Sequence, residues 1–218
     1  MTHKTETSAR IADILLDIGA VSLNPTQPFT WASGLKTPIY CDNRLIMSFP
    51  AARQEVEQAL ADLLLSKFPD VDVIAGTATA GIPHAAIVAH LLNKPMIYVR
   101  SSAKAHGKQN AIEGQLKAGQ KVVMIEDLIS TGGSVIQAAD MVSQAGGEVL
   151  GVCAIFNYLL AKGKQAFQET SYPLYTLTDY QILINQAVQT ADLAAHRATL
   201  EQWYQDPQAW SQAFTSSH

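Results

Sequence analysis

The sequence predicts an α/β domain in which a central, mostly parallel sheet is flanked by helices, and three observations predict it. Between Val71 and Phe156, short runs rich in Val, Ile and Ala alternate with stretches whose apolar residues recur at helical spacing. Those runs are too continuously apolar for strands with one face in water, so they are expected to be buried on both faces of a parallel sheet. The 218 residues are 48% apolar and only 16% charged, enough for one sizeable core with little charge to oppose collapse.

In chain order, Ile11, Ile14, Leu15 and Ile18 mark a first helix, with Gly19 as its C-cap. Residues 24–43 follow, rich in Pro, Ser, Gly and aromatics, with strand-like pieces at Phe29-Thr30-Trp31 and Pro38-Ile39-Tyr40-Cys41. A second helix starts after Pro50 and places Val56, Leu60, Leu63 and Leu64 on one face. Strands are then expected at 71–75, 95–99, 121–125, 148–156 and 173–177, with helices at 82–92 and 134–144. A polar segment, 101–120, interrupts the series, and Thr178 to Gln181 has capping-box spacing for a further helix. Trp210 and Phe214, after Asp206, serve either to cap the domain or to contact a partner. No linker or repeat separates independent domains, so 1–218 reads as one domain.

Composition also removes function classes. A formal net charge of −4 provides no basic field for a nucleic-acid polymer. No apolar run approaches the roughly 18 residues of a membrane span, and Asp13 and Asp17 interrupt the opening apolar stretch as no signal peptide would allow. Cys41 and Cys153 have neither metal-ligand spacing nor a disulfide framework, which fits reduced thiols in a cytoplasmic protein.

Ligands of parallel sheets bind at the carboxyl ends of the strands, so the strand-to-helix loops carry the chemistry. The loop from Gly76 through Thr77, Ala78, Thr79 and Ala80 to Gly81 has the glycine spacing of a Walker A loop. Ile82-Pro83 stands where that loop needs Lys-Ser/Thr. What remains is a small-residue loop whose amides can approach an anion, or one chosen for tight strand–helix packing.

The second loop says more. An apolar strand runs into Glu126 and Asp127, then Leu128, Ile129, Ser130, Thr131, Gly132, Gly133 and Ser134, directly before a helix. Hydroxyls and glycine amides at a helix N-terminus suit a phosphate, and adjacent carboxylates suit sugar hydroxyls or a hydrated cation. Ser134 with Gln137 is alternatively a capping box, which leaves the two carboxylates unexplained. Neither loop carries a Ser, Cys or His nucleophile constellation, so the chemistry indicated is electrostatic positioning of a phosphorylated sugar.

From Glu126 to Ser134 the chain resembles the type I phosphoribosyltransferases, whose motif is an apolar strand, two acidic residues and a Thr/Ser-Gly phosphate loop. Phe29 to Trp31, Pro38 to Arg44, Gly76 to Pro83 and Arg100 to Gly107 extend the resemblance, most closely to the family's orotate-using branch in Gram-positive and related bacteria. The resemblance implies the type I phosphoribosyltransferase fold, with a small amino-terminal hood from 1–50 and a mobile lid from 101–120. It implies transfer of 5-phosphoribosyl from 5-phosphoribosyl 1-diphosphate to orotate, giving orotidine 5′-monophosphate and diphosphate in pyrimidine biosynthesis. Mg²⁺ is the implied cofactor, held mainly by substrate oxygens and water. A homodimer whose subunits share the lid is the implied assembly.

By position, Ser130 to Ser134 would hold the 5′-phosphate, Glu126 and Asp127 the ribose hydroxyls, and Thr77 to Gly81 the diphosphate. Arg100, Lys104 and His106 would bind the diphosphate and, with Asp127, carry catalysis. Lys108 fits the same lid or a solvated loop. Ser130 and Arg44 would reach orotate, unless Arg44 pairs with Asp42. Many relatives carry lysines where this chain has Ala32, Ala80 and Ser101, which leaves Lys36 and Arg44 as candidate substitutes. His84 is expected to be structural. Two other readings stay open, a purine phosphoribosyltransferase and a non-catalytic sensor of the phosphoribosyl donor.

Overall fold

The computed structural model describes residues 2–100 and 111–216. These fall into two compact units: Pro50–Asp179, and a second unit that joins Met1–Phe49 to Tyr180–His218.

The larger unit begins with α2 (Pro50–Lys67), following α1 (Thr2–Asp17), β1 (Val21–Leu23), β2 (Phe29–Thr30), β3 (Lys36–Thr37) and β4 (Ile39–Cys41) of the other unit. It continues through β5 (Val73–Thr77), α3 (Gly81–Leu91), β6 (Met96–Val99), β7 (Ile112–Glu113) and β8 (Lys121–Ile129). Next come α4 (Gly133–Gln144), β9 (Glu148–Asn157), α5 (Ala161–Gln168) and β10 (Leu174–Asp179).

The six strands form one sheet in the order β10-β9-β8-β5-β6-β7, parallel except for the antiparallel edge strand β7. The chain leaves β5 toward β6 on one side and returns to β8 on the other. The carboxyl ends of β5 and β8 therefore diverge at a topological switch point, where such sheets bind ligands.

Burial explains the continuous apolar runs. Val73, Ala75, Val122, Met124, Val152 and Ala154 pack in one core with Val135, Ala138, Ala139 and Val142 of α4. The intervening residues Ile74, Val123, Ile125 and Cys153, which strand alternation turns to the opposite face, are equally buried. The expected strands and helices are all present. β8 runs four residues past its expected end at 125, so Glu126 and Asp127 lie inside the strand. The segment expected as a lid over 101–120 divides. Its first ten residues lie outside the described residues, while Ile112 and Glu113 pair with Val99 and Tyr98.

The second unit pairs β1 with β4 and β2 with β3, both antiparallel. A 3₁₀ turn (Asn43–Ser48) and the helices α6 (Tyr180–Ala187), α7 (Ala191–Ala194), α8 (Arg197–Gln205) and α9 (Pro207–Ser216) complete it. α1 ends at Gly19 as expected, with φ +71° and its amide bonded to the Leu16 carbonyl. The expected capping box does not form: Thr178 belongs to β10, and its buried hydroxyl makes no hydrogen bond. α9 packs on β3, and the Ser211 hydroxyl accepts from the Lys36 amide at 2.9 Å. The carboxy-terminal segment thus caps its own unit. No helix among the described residues is long and apolar enough to cross a membrane.

Candidate functional site

Two helices start at the switch point, and neither is closed by a side chain. α4 begins after Gly132, whose φ of +76° is a left-handed conformation suited to glycine. Its first intrahelical bond runs from the Ile136 amide to the Gly132 carbonyl, at 3.1 Å. No side chain caps this end, so the capping box of Ser134 with Gln137 is not realised. The Gly133, Ser134 and Val135 amides precede the helical ladder, where the helix dipole favours an anion. Thr131, Gly133 and Ser134 are exposed, and Ser130 is half-buried. α3 begins after Ala80, again without a side-chain cap. Ala78, Thr79 and Ala80 form the turn before it, in which the Ala78–Thr79 peptide is cis.

Both glycines of this first loop are packing glycines. A Cβ on Gly81 would lie 2.5 Å from the Ile125 carbonyl oxygen, and one on Gly76 would lie 3.0 Å from the Ala85 Cβ. The first turn of α3 is therefore pressed against β8, beside the acidic pair.

Strand alternation gives the two carboxylates different surroundings. Glu126 is 6% exposed, while Asp127 is half-buried and donates its backbone N–H to Glu126 Oε1 at 3.0 Å. Burial foremost, then the adjacent Asp127 carboxyl, push the Glu126 pKa well above the ordinary glutamate range. The Asp127 amide and the nearby Thr77 side chain only partly oppose the rise. Thr77 ends β5 at 4% exposure, and its hydroxyl lacks a well-formed hydrogen bond.

Arg100 follows β6. Its amide donates to the Ala111 carbonyl at 2.9 Å. Its Nε lies 3.2 Å from Glu113 Oε1. A cleft lined by Thr77, Ala78, Val99, Arg100, Ser134 and Gln137 brings Arg100 together with both small-residue loops. Sequence reasoning missed two residues here: Gln137, read there only as a capping partner, and Glu113, in the segment read as a mobile lid. Lys104, His106 and Lys108 lie outside the described residues, as does Ser101.

Other candidates are engaged elsewhere. His84 is fully buried with its Nδ1 2.5 Å from Glu57 Oε1, a structural pair as expected. Burial raises the Glu57 pKa against the opposing pull of that bond. Arg44, in the other unit, holds Asp42 through Nε at 2.6 Å and Nη2 at 2.7 Å. Those side-chain bonds keep the Asp42 carboxyl below its ordinary value. Lys36 donates to the Thr30 hydroxyl at 2.9 Å, and Ala32 is exposed.

Known proteins resemble this chain in sequence and in fold. A family model for the phosphoribosyl transferase domain matches residues 46–194. An orotate phosphoribosyltransferase of Bacillus caldolyticus is 57% identical over 201 residues, covering 92% of this chain and 97% of that one. One from Enterococcus faecalis is 54% identical over 207 residues, covering 94% and 99%. The crystal structure of an orotate phosphoribosyltransferase from Aeropyrum pernix shares the fold, with a TM-score of 0.73 over 83% of this chain and 99% of that one, at 23% identity. With a family model across most of its length and relatives this similar from end to end, the chain belongs to the phosphoribosyltransferase family, in the branch of the orotate phosphoribosyltransferases.

Proposed function

We propose that the chain transfers the 5-phosphoribosyl group of 5-phosphoribosyl 1-diphosphate to a ring nitrogen of orotate. The bond from the anomeric carbon to diphosphate breaks, and orotidine 5′-monophosphate and diphosphate are formed. One observation carries the reading: two helices without side-chain caps start from the ends of adjacent parallel strands, on either side of Glu126 and Asp127. A ligand with phosphate at one end, diphosphate at the other and a sugar between matches that order of groups.

In this reading Ser130 to Ser134 hold the 5′-phosphate. Asp127 and Glu126 meet the ribose hydroxyls, and Thr77 to Gly81 receive the diphosphate through their amides. As the anomeric bond breaks, positive charge grows on the ribose and negative charge on the leaving group. Donors aimed at the diphosphate therefore favour the transition state over the ground state. Arg100 sits in the cleft for this role. Lys104 and His106, which follow it in the chain, are proposed to join it on chemical type and resemblance. Arg44, with a planar fork that suits a carboxylate, is the proposed reader of orotate, in competition with Asp42.

Mg²⁺ is proposed as cofactor. The Glu126 carboxyl with the Thr77 hydroxyl beside it, and the half-buried Asp127 carboxylate next along the strand, are hard oxygens that fit a cation carried in largely by substrate and water. Bound there, it would neutralise part of the diphosphate charge.

The test is a spectrophotometric assay with the phosphoribosyl donor, Mg²⁺ and one base at a time. Orotate absorbance should fall with equimolar diphosphate release, and chelation of Mg²⁺ should stop it. Turnover of adenine or hypoxanthine in its place would overturn the base assignment, and binding of donor without any turnover would favour a sensor. Family membership also supports a cytoplasmic homodimer, and the same preparation should sediment as a dimer at assay concentration.

A further inference from the structure

We infer that α5 is the floor of the phosphate-binding turn, and that Gly163 and Phe167 position it; this rests on the proposed role of Ser130 to Ser134. The turn leaves β8 next to the end of β9, tied by the Tyr158 amide to the Ile129 carbonyl at 2.9 Å. Three residues later the chain folds into α5 and packs beside α4. Gly163 sits inside this eight-residue helix, although glycine is the poorest helix former after proline. Its environment supplies the reason. Gly163 is buried, and a Cβ there would collide with the Ser130 carbonyl oxygen and lie 3.6 Å from the Thr131 Cα. The backbone of α5 therefore rests directly on the Ser130–Thr131 peptide.

Phe167 lies four residues on, on the same face of the helix. Its ring reaches under Gly132, where a Cβ would lie 2.7 Å from Phe167 Cε2. Each partner thus gives up a side chain where the other approaches: Gly163 for Ser130, and Gly132 for Phe167. Phe167 is itself anchored on the main core of the unit. Below, the turn is closed by α5; on its other side Thr131, Gly133 and Ser134 remain exposed. Amides fixed in this way are aimed before the anion arrives, so binding need not pay to order them. Gly163 and Phe167 act through the turn and touch no reacting atom.

The inference separates from ordinary packing by which end of the substrate feels the change. Gly163→Ala should raise the donor KM about tenfold with kcat little altered, because a small displacement of binding groups weakens ground and transition states alike. Its affinity for ribose 5-phosphate should fall about tenfold, while that for inorganic pyrophosphate stays within about twofold. Phe167→Leu, which keeps an apolar floor, should show the same split at about threefold and covers the case in which Gly163→Ala does not fold. The exposed neighbour change Lys162→Ala should match the parent in both affinities. Equal weakening toward both probes, or none toward either, would overturn the inference. If the parent itself fails to bind ribose 5-phosphate, the phosphate-turn reading falls and takes this inference with it. If the parent binds and both variants bind equally well, only the role of α5 falls.

Discussion

Glu126 and Asp127 are chemically near-identical neighbours, and the pleat of β8 makes them different groups. One carboxyl is turned into the protein and the other is left half in water. The sequence ends the strand at Ile125 and turns the two carboxylates to opposite sides only if the chain stays extended through them. The fold keeps the pairing going through Glu126↔Ala154, Leu128↔Phe156 and Ile129↔Asn157. Burial and Asp127 raise the Glu126 pKa above its unfolded value, so the folded state binds that proton more tightly. The stability from this group is present in full below the ordinary glutamate pKa and is lost as pH rises through the raised value. Glu126→Gln, fixed in the neutral form, should therefore be more stable than the parent at pH 8. The gain should vanish near pH 4. Urea unfolding followed across that range checks it, and a variant less stable at pH 8 than at pH 4, relative to the parent, would contradict it.

At the scale of elements, the strands and helices of the larger unit were legible because each carries its own apolar pattern. β7 was not, since two residues in a polar segment give no periodicity. It exists because β6 offers an edge to Ile112 and Glu113. α5 escaped notice for a similar reason: its one buried residue is Gly163, and Phe167 alone packs on the core, which leaves no apolar periodicity in sequence. The small-residue loop after β5 was found as a pattern, but its cause was not legible. Gly81 is required by the approach of α3 to the Ile125 carbonyl. Gly81→Ala should accordingly push the start of α3 off β8 and cost about 1–3 kcal/mol, as overpacking does. Thermal unfolding measures this, and an unchanged or raised melting temperature would show that the approach is less tight than the geometry states.

At the scale of the molecule, the sequence suggests one domain to which residues 1–50 contribute a hood. The chain forms two compact units, and the smaller joins residues 1–49 to the carboxy-terminal helices. α1 packs with α6, Gln186 donates to Asp13 at 2.9 Å, and Trp203 stands edge-on to Trp31. Nothing local announces such pairings, because contacts between the two ends of a chain leave no pattern in either one. The charge was legible only as a total. A net of −4 hides the fact that two carboxylates and two uncapped helix starts occupy the same end of one sheet. The central claim is that these two helix starts divide the donor's phosphates between them. Amide-resolved NMR of the whole protein tests it most directly, with ribose 5-phosphate and inorganic pyrophosphate titrated separately. The account predicts that ribose 5-phosphate shifts the amides from Thr131 to Val135, and that pyrophosphate shifts those from Ala78 to Ile82. Both probes moving the same helix start, or neither moving either one, would contradict it.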